Sequence, residues 1–213
     1  MDKIDIEGFF VKNKYLLIGF LAGLIIIVGV LAGVRYYYFK LNEKANKTLW
    51  TSIRLYMSYN GKNPKVVLGS ISHLKKLQQQ YKGTTDFEIA NFYLGLDYMK
   101  IGKLNEAEKY LDKYVGYYPK PNSYNLTYLA LSALAAVNLR QKNYIKAIAD
   151  FKAMSKIDGV KLDEYALLEE AAVYTQIKEP KKAIAVYNSM LTNDAMTKDR
   201  GYIENLIQLN SHY

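Results

Sequence analysis

The chain contains no cysteine. That removes disulfide staples, thiol catalysis and thiolate metal sites, and it excludes a lipoprotein anchor, which needs a cysteine to carry its lipid. It leaves the compartment open. Histidine is almost as scarce: of the two, His73 falls in a basic segment and His212 at the C-terminal end, so neither has an obvious partner for acid–base or metal chemistry. There is no Walker loop, no GxGxxG and no calcium loop. Glu169 and Glu170 are adjacent, so on a helix they point about 100° apart and read as a solvated edge rather than a working pair. The expectation is a protein that is not an enzyme and needs no cofactor or metal.

Acidic residues are also in short supply, 20 against 29 basic ones, for a net charge of +9. The imbalance is local. From Leu41 to Thr85 there are eight basic residues and Glu43 alone on the other side, whereas Asp86 to Tyr213 holds sixteen of each sign. Just ahead of that basic stretch, Tyr15 to Val34 reads YLLIGFLAGLIIIVGVLAGV without a charge, between Lys14 and Arg35. As a helix this run is about 30 Å long, the hydrocarbon thickness of a bilayer. Its thirteen Leu, Ile, Val and Phe residues favour insertion by something on the order of 5 kcal/mol. Tyr36, Tyr37, Tyr38 and Phe39 follow, as expected of rings that settle at head-group depth.

A cleaved signal is the competing reading, since Val30-Leu31-Ala32 resembles a cleavage site. The run is longer than a signal's usual apolar core, and the leader carries Asp2, Asp5 and Glu7 beside Lys3, Lys12 and Lys14, so a retained span is expected. Gly19, Ala22, Gly29 and Gly33 share one side of that span, within about 80° of one another, as a helix-pairing stripe would. A basic skirt beside an anchor suits anionic lipid head groups, at about 1 kcal/mol per Lys, better than nucleic acid. Lys44, Lys47, Arg54, Lys62 and Lys65 are the candidates for a lipid surface, the alternative being solvated helix faces. Counted alone, the flanking charge would leave the large domain in the cytoplasm, although long domains cross largely regardless of charge.

The expected organisation is a short tail (1–14), an anchor (15–38), a basic membrane-proximal helical hairpin (42–85), and a larger helical region (86–213). Ala45, Leu49, Trp50, Ile53, Tyr56 and Met57 recur at helical spacing, and Asn60 to Pro64 breaks the pattern. Val67, Leu68, Ile71, Leu74 and Leu77 define the returning helix. Thr85 or Asp86 is placed to cap the next one.

Beyond that point the chain repeats itself. Leu94-Gly95, Tyr98, Gly102, Ala107, Leu111 and Pro119 match the tetratricopeptide pattern, and so do Leu134-Ala135, Ala147 and Phe151, then Ala171, Tyr174, Ala183 and Tyr187. Asn138 and Glu170 depart from it. The aligned alanines lie thirty-six to forty residues apart, with the extra length placed at Pro121-Asn122-Ser123 and Asp158-Gly159-Val160. A final helix, Ala195 to Leu209, carries Ile203, Leu206 and Ile207 to cover the open end. The fold class expected is therefore all-α: one transmembrane helix, then a tetratricopeptide-like α-solenoid with a C-terminal capping helix.

Resemblance to tetratricopeptide stacks implies that the first helix of each unit lines a concave groove for proteins. Here that places Phe92, Leu96 and Met99, then Ser132, Leu139 and Arg140, then Tyr165, Leu168 and Gln176 on a binding surface, with no carboxylate clamp. The whole plan, with Phe9-Phe10 and Asn13 in the leader, Arg35-Tyr36-Tyr37 after the span and Ile203-Glu204-Asn205-Leu206 near the end, resembles the ancillary SecYEG translocon subunit family (YfgM-like proteins). That resemblance implies a single-pass protein of the bacterial inner membrane, N-terminus cytoplasmic and repeats periplasmic. Its partners would be translocon subunits, periplasmic chaperones or exported chains, with no nucleic acid and no small-molecule substrate. A structural scaffold of another envelope complex is the alternative.

Overall fold

The computed structural model describes residues 6–118, 126–157, 163–192 and 199–212, and among them every regular element is a helix. These are α1 (Ile6–Ser58), α2 (Pro64–Gln80), α3 (Thr85–Lys100), α4 (Leu104–Tyr117), α5 (Thr127–Arg140), α6 (Tyr144–Met154), α7 (Asp163–Gln176), α8 (Pro180–Leu191) and α9 (Arg200–Ser211). Each packs on the next, and every substantial helix–helix contact joins elements one or two apart in the chain. Such neighbour-only packing is what repeated helical hairpins produce.

The element boundaries differ from expectation at the start. The apolar run and the first hairpin helix, expected as separate pieces, are a single unbroken helix of 53 residues, about 80 Å long. It is helical from Ile6, well inside the expected tail. No Gly or Pro interrupts Arg35 to Ser58, and a Lys40–Glu43 pair at 2.8 Å spans one turn beyond the aromatic belt. The apolar run is long and apolar enough to cross a membrane, and none of it is covered by the rest of the chain. A core helix of the stack would be covered, so that reading is excluded.

The helix starts are chemically explicit in two places. Asn63 Oδ1 accepts from the Lys65 amide at 3.1 Å ahead of Pro64, and Thr84 Oγ1 accepts from the Phe87 amide at 3.3 Å. The cap of α3 is thus Thr84, one residue before the expected pair. Its neighbour Asp86 sits in the first turn, where a carboxylate meets the positive end of the helix.

Small residues recur where hairpin helices cross. Gly95 faces Ala107 and Leu111, Ala135 is matched with Ala147 and Phe151, and Ala171 with Ala183 and Tyr187; all nine are buried. A Cβ on Gly95 would lie 2.5 Å from Leu111 Cγ and 3.3 Å from the Ala107 carbonyl oxygen. The α1–α2 hairpin uses serines for the same purpose: Ser52 and Ser70 are buried, and Ser70 Oγ donates to the Ser52 carbonyl at 3.1 Å. Ile203 on α9 is buried against the end of the stack, with Leu206 and Ile207 half-buried beside it.

The two departures from the repeat pattern are buried polar residues, each meeting a more exposed partner. Asn138 Nδ2 donates to Asp150 Oδ2 at 2.8 Å, bridging α5 and α6. Glu170, expected on a solvated edge, is only 3 % exposed. It lies 3.6 Å from Lys152 Nζ, which also donates to Tyr174 Oη at 3.1 Å. Each pair replaces an apolar contact with one that needs its partner in place.

Glycine geometry yields a paired prediction. Gly95→Ala should destabilise the stack by about 1–3 kcal/mol through overpacking against Leu111. Gly116→Ala, where a Cβ meets nothing within 4 Å, should stabilise it by up to about 1 kcal/mol. Urea unfolding of the detergent-solubilised protein, followed by helical circular dichroism, reads both; shifts of the same sign would contradict the crossing geometry.

Candidate protein-binding surface

The odd-numbered helices α1, α3 and α5 pack side by side as well as against their own hairpin partners, so they share a face. Leu96 and Met99 of α3 and Ser132 and Leu139 of α5 are half-buried and Arg140 is exposed; of the α7 residues expected to continue the surface, Leu168 is half-buried and Tyr165 and Gln176 are exposed. Leu129 is 54 % exposed and Tyr165 45 %, both large apolar surfaces with no cover among the described residues. Phe92 does not belong with them. It is 3 % exposed, with its ring 5.2 Å from Tyr93 and 5.6 Å from Tyr114, and it is part of the core.

Several of these residues are held from one hairpin to the next. Arg140 Nη1 donates to the Met99 carbonyl at 3.3 Å, and Gln176 Nε2 to Tyr144 Oη at 3.4 Å. Lys100 does the same for α1, donating to the Tyr56 carbonyl at 2.7 Å. Its ammonium sits 3.3 Å from the centre of the Tyr56 ring and 5.5 Å from that of Tyr59. Helix ends leave carbonyls short of intrahelical donors, and at the ends of α1 and α3 a cation from the following odd helix supplies one, whereas Gln176 bonds a side-chain hydroxyl. The helical spacing of Tyr56 and Lys100 was visible in the sequence; their meeting across forty-four residues was not.

The terminal helix does not occupy this face. It packs on α8, in the place a further first helix would take, and reaches α7 through Thr175 Oγ1, which donates to Asn210 Oδ1 at 2.7 Å. A cleft of 360 Å³ lined by Thr175, Gln176, Lys178, Pro180 and Asn210 marks that junction.

The other two groups of expected site residues lie on or near α1. A Cβ on Gly19, Gly29 or Gly33 would meet nothing within 4 Å, and Ala22 is exposed, so the small-residue stripe is unoccupied among the described residues. The proposed lipid surface divides. Lys44 and Lys47 follow Val34 by about 15 and 20 Å along α1. Arg54 is about 30 Å away, and Lys62 and Lys65 sit at the far turn, beyond the roughly 8 Å reach of charge in physiological salt. The turn that does return toward the apolar run is the one between α2 and α3, where Thr85 and Asp86 line a depression with Phe39, Asn42, Glu43 and Asn46.

Asp97 is the one strongly perturbed group near the face. It is completely buried where α1, α2 and α3 meet, and neither carboxylate oxygen has a hydrogen-bond partner. Burial pushes its pKa up to about 7, opposed in part by the nearby Ser70 hydroxyl and Lys100 ammonium. Asp150 is raised to about 6, again mainly by burial, with the Asn138 amide working against the shift.

No protein-family model matches the chain, and no curated protein sequence matches it.

The raised carboxyl fixes a sign. A folded-state pKa above the unfolded value near 4 means that the native protein binds the extra proton, so stability falls as pH rises from about 4 through about 7. Asp97→Asn should flatten that slope and leave the protein more stable at pH 8, by on the order of 3 kcal/mol. Urea midpoints at pH 5 and 8 for both proteins measure it, and equal slopes would contradict the assignment.

Proposed function

We propose that the chain is a single-span membrane protein whose tetratricopeptide-like hairpins hold a polypeptide partner against the face of the odd-numbered helices. The observation that carries this reading is the strip from Leu96 and Met99 through Leu129 and Leu139 to Tyr165 and Leu168. Leu129 and Tyr165 stay exposed among the described residues and the other four are only half-buried, while α9 covers the end of the stack instead. An apolar strip of this kind suits the hydrophobic side of another chain. Continuity of α1 supports a retained anchor, since the apolar run and the stack are one helix.

The resemblance to ancillary translocon subunits supports the more specific form of the proposal. In that form the protein is an adaptor or chaperone-like module of the bacterial inner membrane, with its repeats in the periplasm and its partners among translocon subunits, chaperones and exported chains. No catalytic role is proposed. A scaffold for another envelope complex is favoured by a different observation, the open Gly19, Gly29 and Gly33 stripe, which would fix a second helix within the membrane.

Photo-crosslinkers at Leu139 and Tyr165 should capture a polypeptide partner, whereas one at Tyr117, exposed at the C-terminal end of α4, should not. Equal capture at all three sites, or capture at Tyr117 alone, would move the interface elsewhere. Sidedness is read separately. Gly159, the sequence's natural choice for a probe, lies outside the described residues, but Lys62 is exposed on a described turn. In a chain without native thiols, Lys62→Cys should react with an impermeant maleimide in intact spheroplasts; protection until lysis would place the repeats in the cytoplasm.

A further inference from the structure

The fold moves the lysine excess away from where the sequence puts it. The hairpins follow one another in alternating directions, so each turn from an odd helix to the next even one lies on the edge remote from the apolar run. That edge is knitted together by Lys100 to Tyr56, Arg140 to Met99, and Gln141 Nε2 donating to Asn105 Oδ1 at 2.9 Å. Its four segments, residues 60–65, 100–106, 140–146 and 176–182, hold ten basic residues against only Glu106 and Glu179, nearly the whole net charge of +9.

Little of this charge is neutralised. Lys146 pairs with Glu108 and Lys182 with Glu179, but among the described residues no carboxylate lies within 4 Å of Lys62, Lys103, Lys142 or Lys178. Two of these lysines also take an unusual backbone. Lys142 and Lys178 both have φ of 61°, where the matching turn between α3 and α4 uses Gly102 at 75°. A side chain in the left-handed region carries a cost that glycine avoids, so lysine stands where the backbone alone would favour glycine.

Lipid does not account for the edge, because the end of α1 lies about 36 Å beyond Val34, several screening lengths from any head group. A uniform polyanion fits poorly as well. It would leave the adjoining apolar strip wet, and the tyrosines of the edge, Tyr56, Tyr59 and Tyr144, are half-buried rather than free to stack on bases. Lys100 and Arg140 stand on the border between the strip and the turns, so the two surfaces are continuous.

We propose that this edge and the apolar strip together bind one amphipathic polypeptide segment that carries carboxylates along one side. The inference rests on the reading that the odd-helix face holds a polypeptide, and it names that polypeptide's chemistry. Packed helices stand about 10 Å apart, and one acid every seven residues of a helix recurs about every 10.5 Å, so a helical segment can meet successive turns.

The test uses the full chain in nanodiscs of zwitterionic lipid and two dye-labelled helical peptides. Both have a leucine face; one carries Glu at every seventh position along one edge, and its twin carries Gln there. The Glu peptide should bind about tenfold tighter at low salt, with the advantage shrinking as salt rises. Lys103→Glu, Lys142→Glu and Lys178→Glu together should erase that advantage and leave the Gln peptide unchanged. Lys142→Gly with Lys178→Gly, which relaxes the backbone, should weaken the Glu peptide several-fold, so misfolding cannot explain the loss. Equal binding of the twins, or indifference to charge reversal, would overturn the acidic-edge inference while leaving the face itself intact. Leu139→Asp with Leu168→Asp should lose both peptides; if both still bound, the face reading would fail. Tighter binding of a single-stranded oligonucleotide of matched charge, lost on the same reversal, would overturn the polypeptide in favour of a polyanion.

Discussion

An unbroken α1 is the constraint from which the rest follows. One helix is at once the apolar rod and the first helix of the hairpin stack, so no linker separates the apolar run from the helices that pack on it. Between Val34 and Ala45 the side chains are largely exposed, and among the described residues only the α2–α3 turn approaches, where Thr85 and Asp86 stand beside Phe39, Asn42 and Glu43. That stretch stays helical because both of its flanks are already helix: the nucleation cost falls elsewhere, and only propagation through ordinary helix formers is required. The consequence is mechanical. Any tilt or rotation of the rod is passed to α2 and α3, which pack directly on the rest of α1.

Much of the architecture was legible because it depends on local spacing. The twelve-residue separation between Gly95 and Ala107, Ala135 and Ala147, and Ala171 and Ala183 records where two helices cross at short range. That relation survives degenerate repeats, since crossing tolerates only small residues. The boundary after Tyr38 was misplaced for a related reason: a change of composition from apolar to amphipathic resembles the end of an element, yet without Gly or Pro the backbone has no cause to stop. Phe92 was assigned to the surface because α3 is apolar nearly all round, which leaves its phase undetermined by pattern alone.

What stayed hidden was polar and long-range. Glu170 looks like half of a charged edge until Lys152, on the preceding hairpin, is seen beside it. Ser52 and Ser70 look like ordinary helix filler until their hydrogen bond shows the first hairpin closing as the later ones do. Charge placement failed on the same ground. Sequence distance from the anchor was taken for spatial distance, whereas α1 carries Lys62 away from the apolar run and α2 brings Lys82 back toward it.

These contacts also set how the surface is presented. The odd helices α1, α3 and α5 pack side by side, so their C-terminal ends, at Tyr56, Lys100 and Arg140, meet one edge. The ends of α1 and α3 are each bonded by the odd helix that follows, which makes the edge a shared product of successive hairpins rather than a property of any one. A polypeptide bound as proposed would cross several odd helices, and its orientation relative to the rod would be inherited from α1. Loosening a single hairpin would alter the apolar strip and the basic edge together, because the Arg140–Met99 hydrogen bond ties one to the other. The first hairpin has the least freedom to loosen, being continuous with the rod. The last depends on α9 and the Thr175–Asn210 contact to hold its first helix in register.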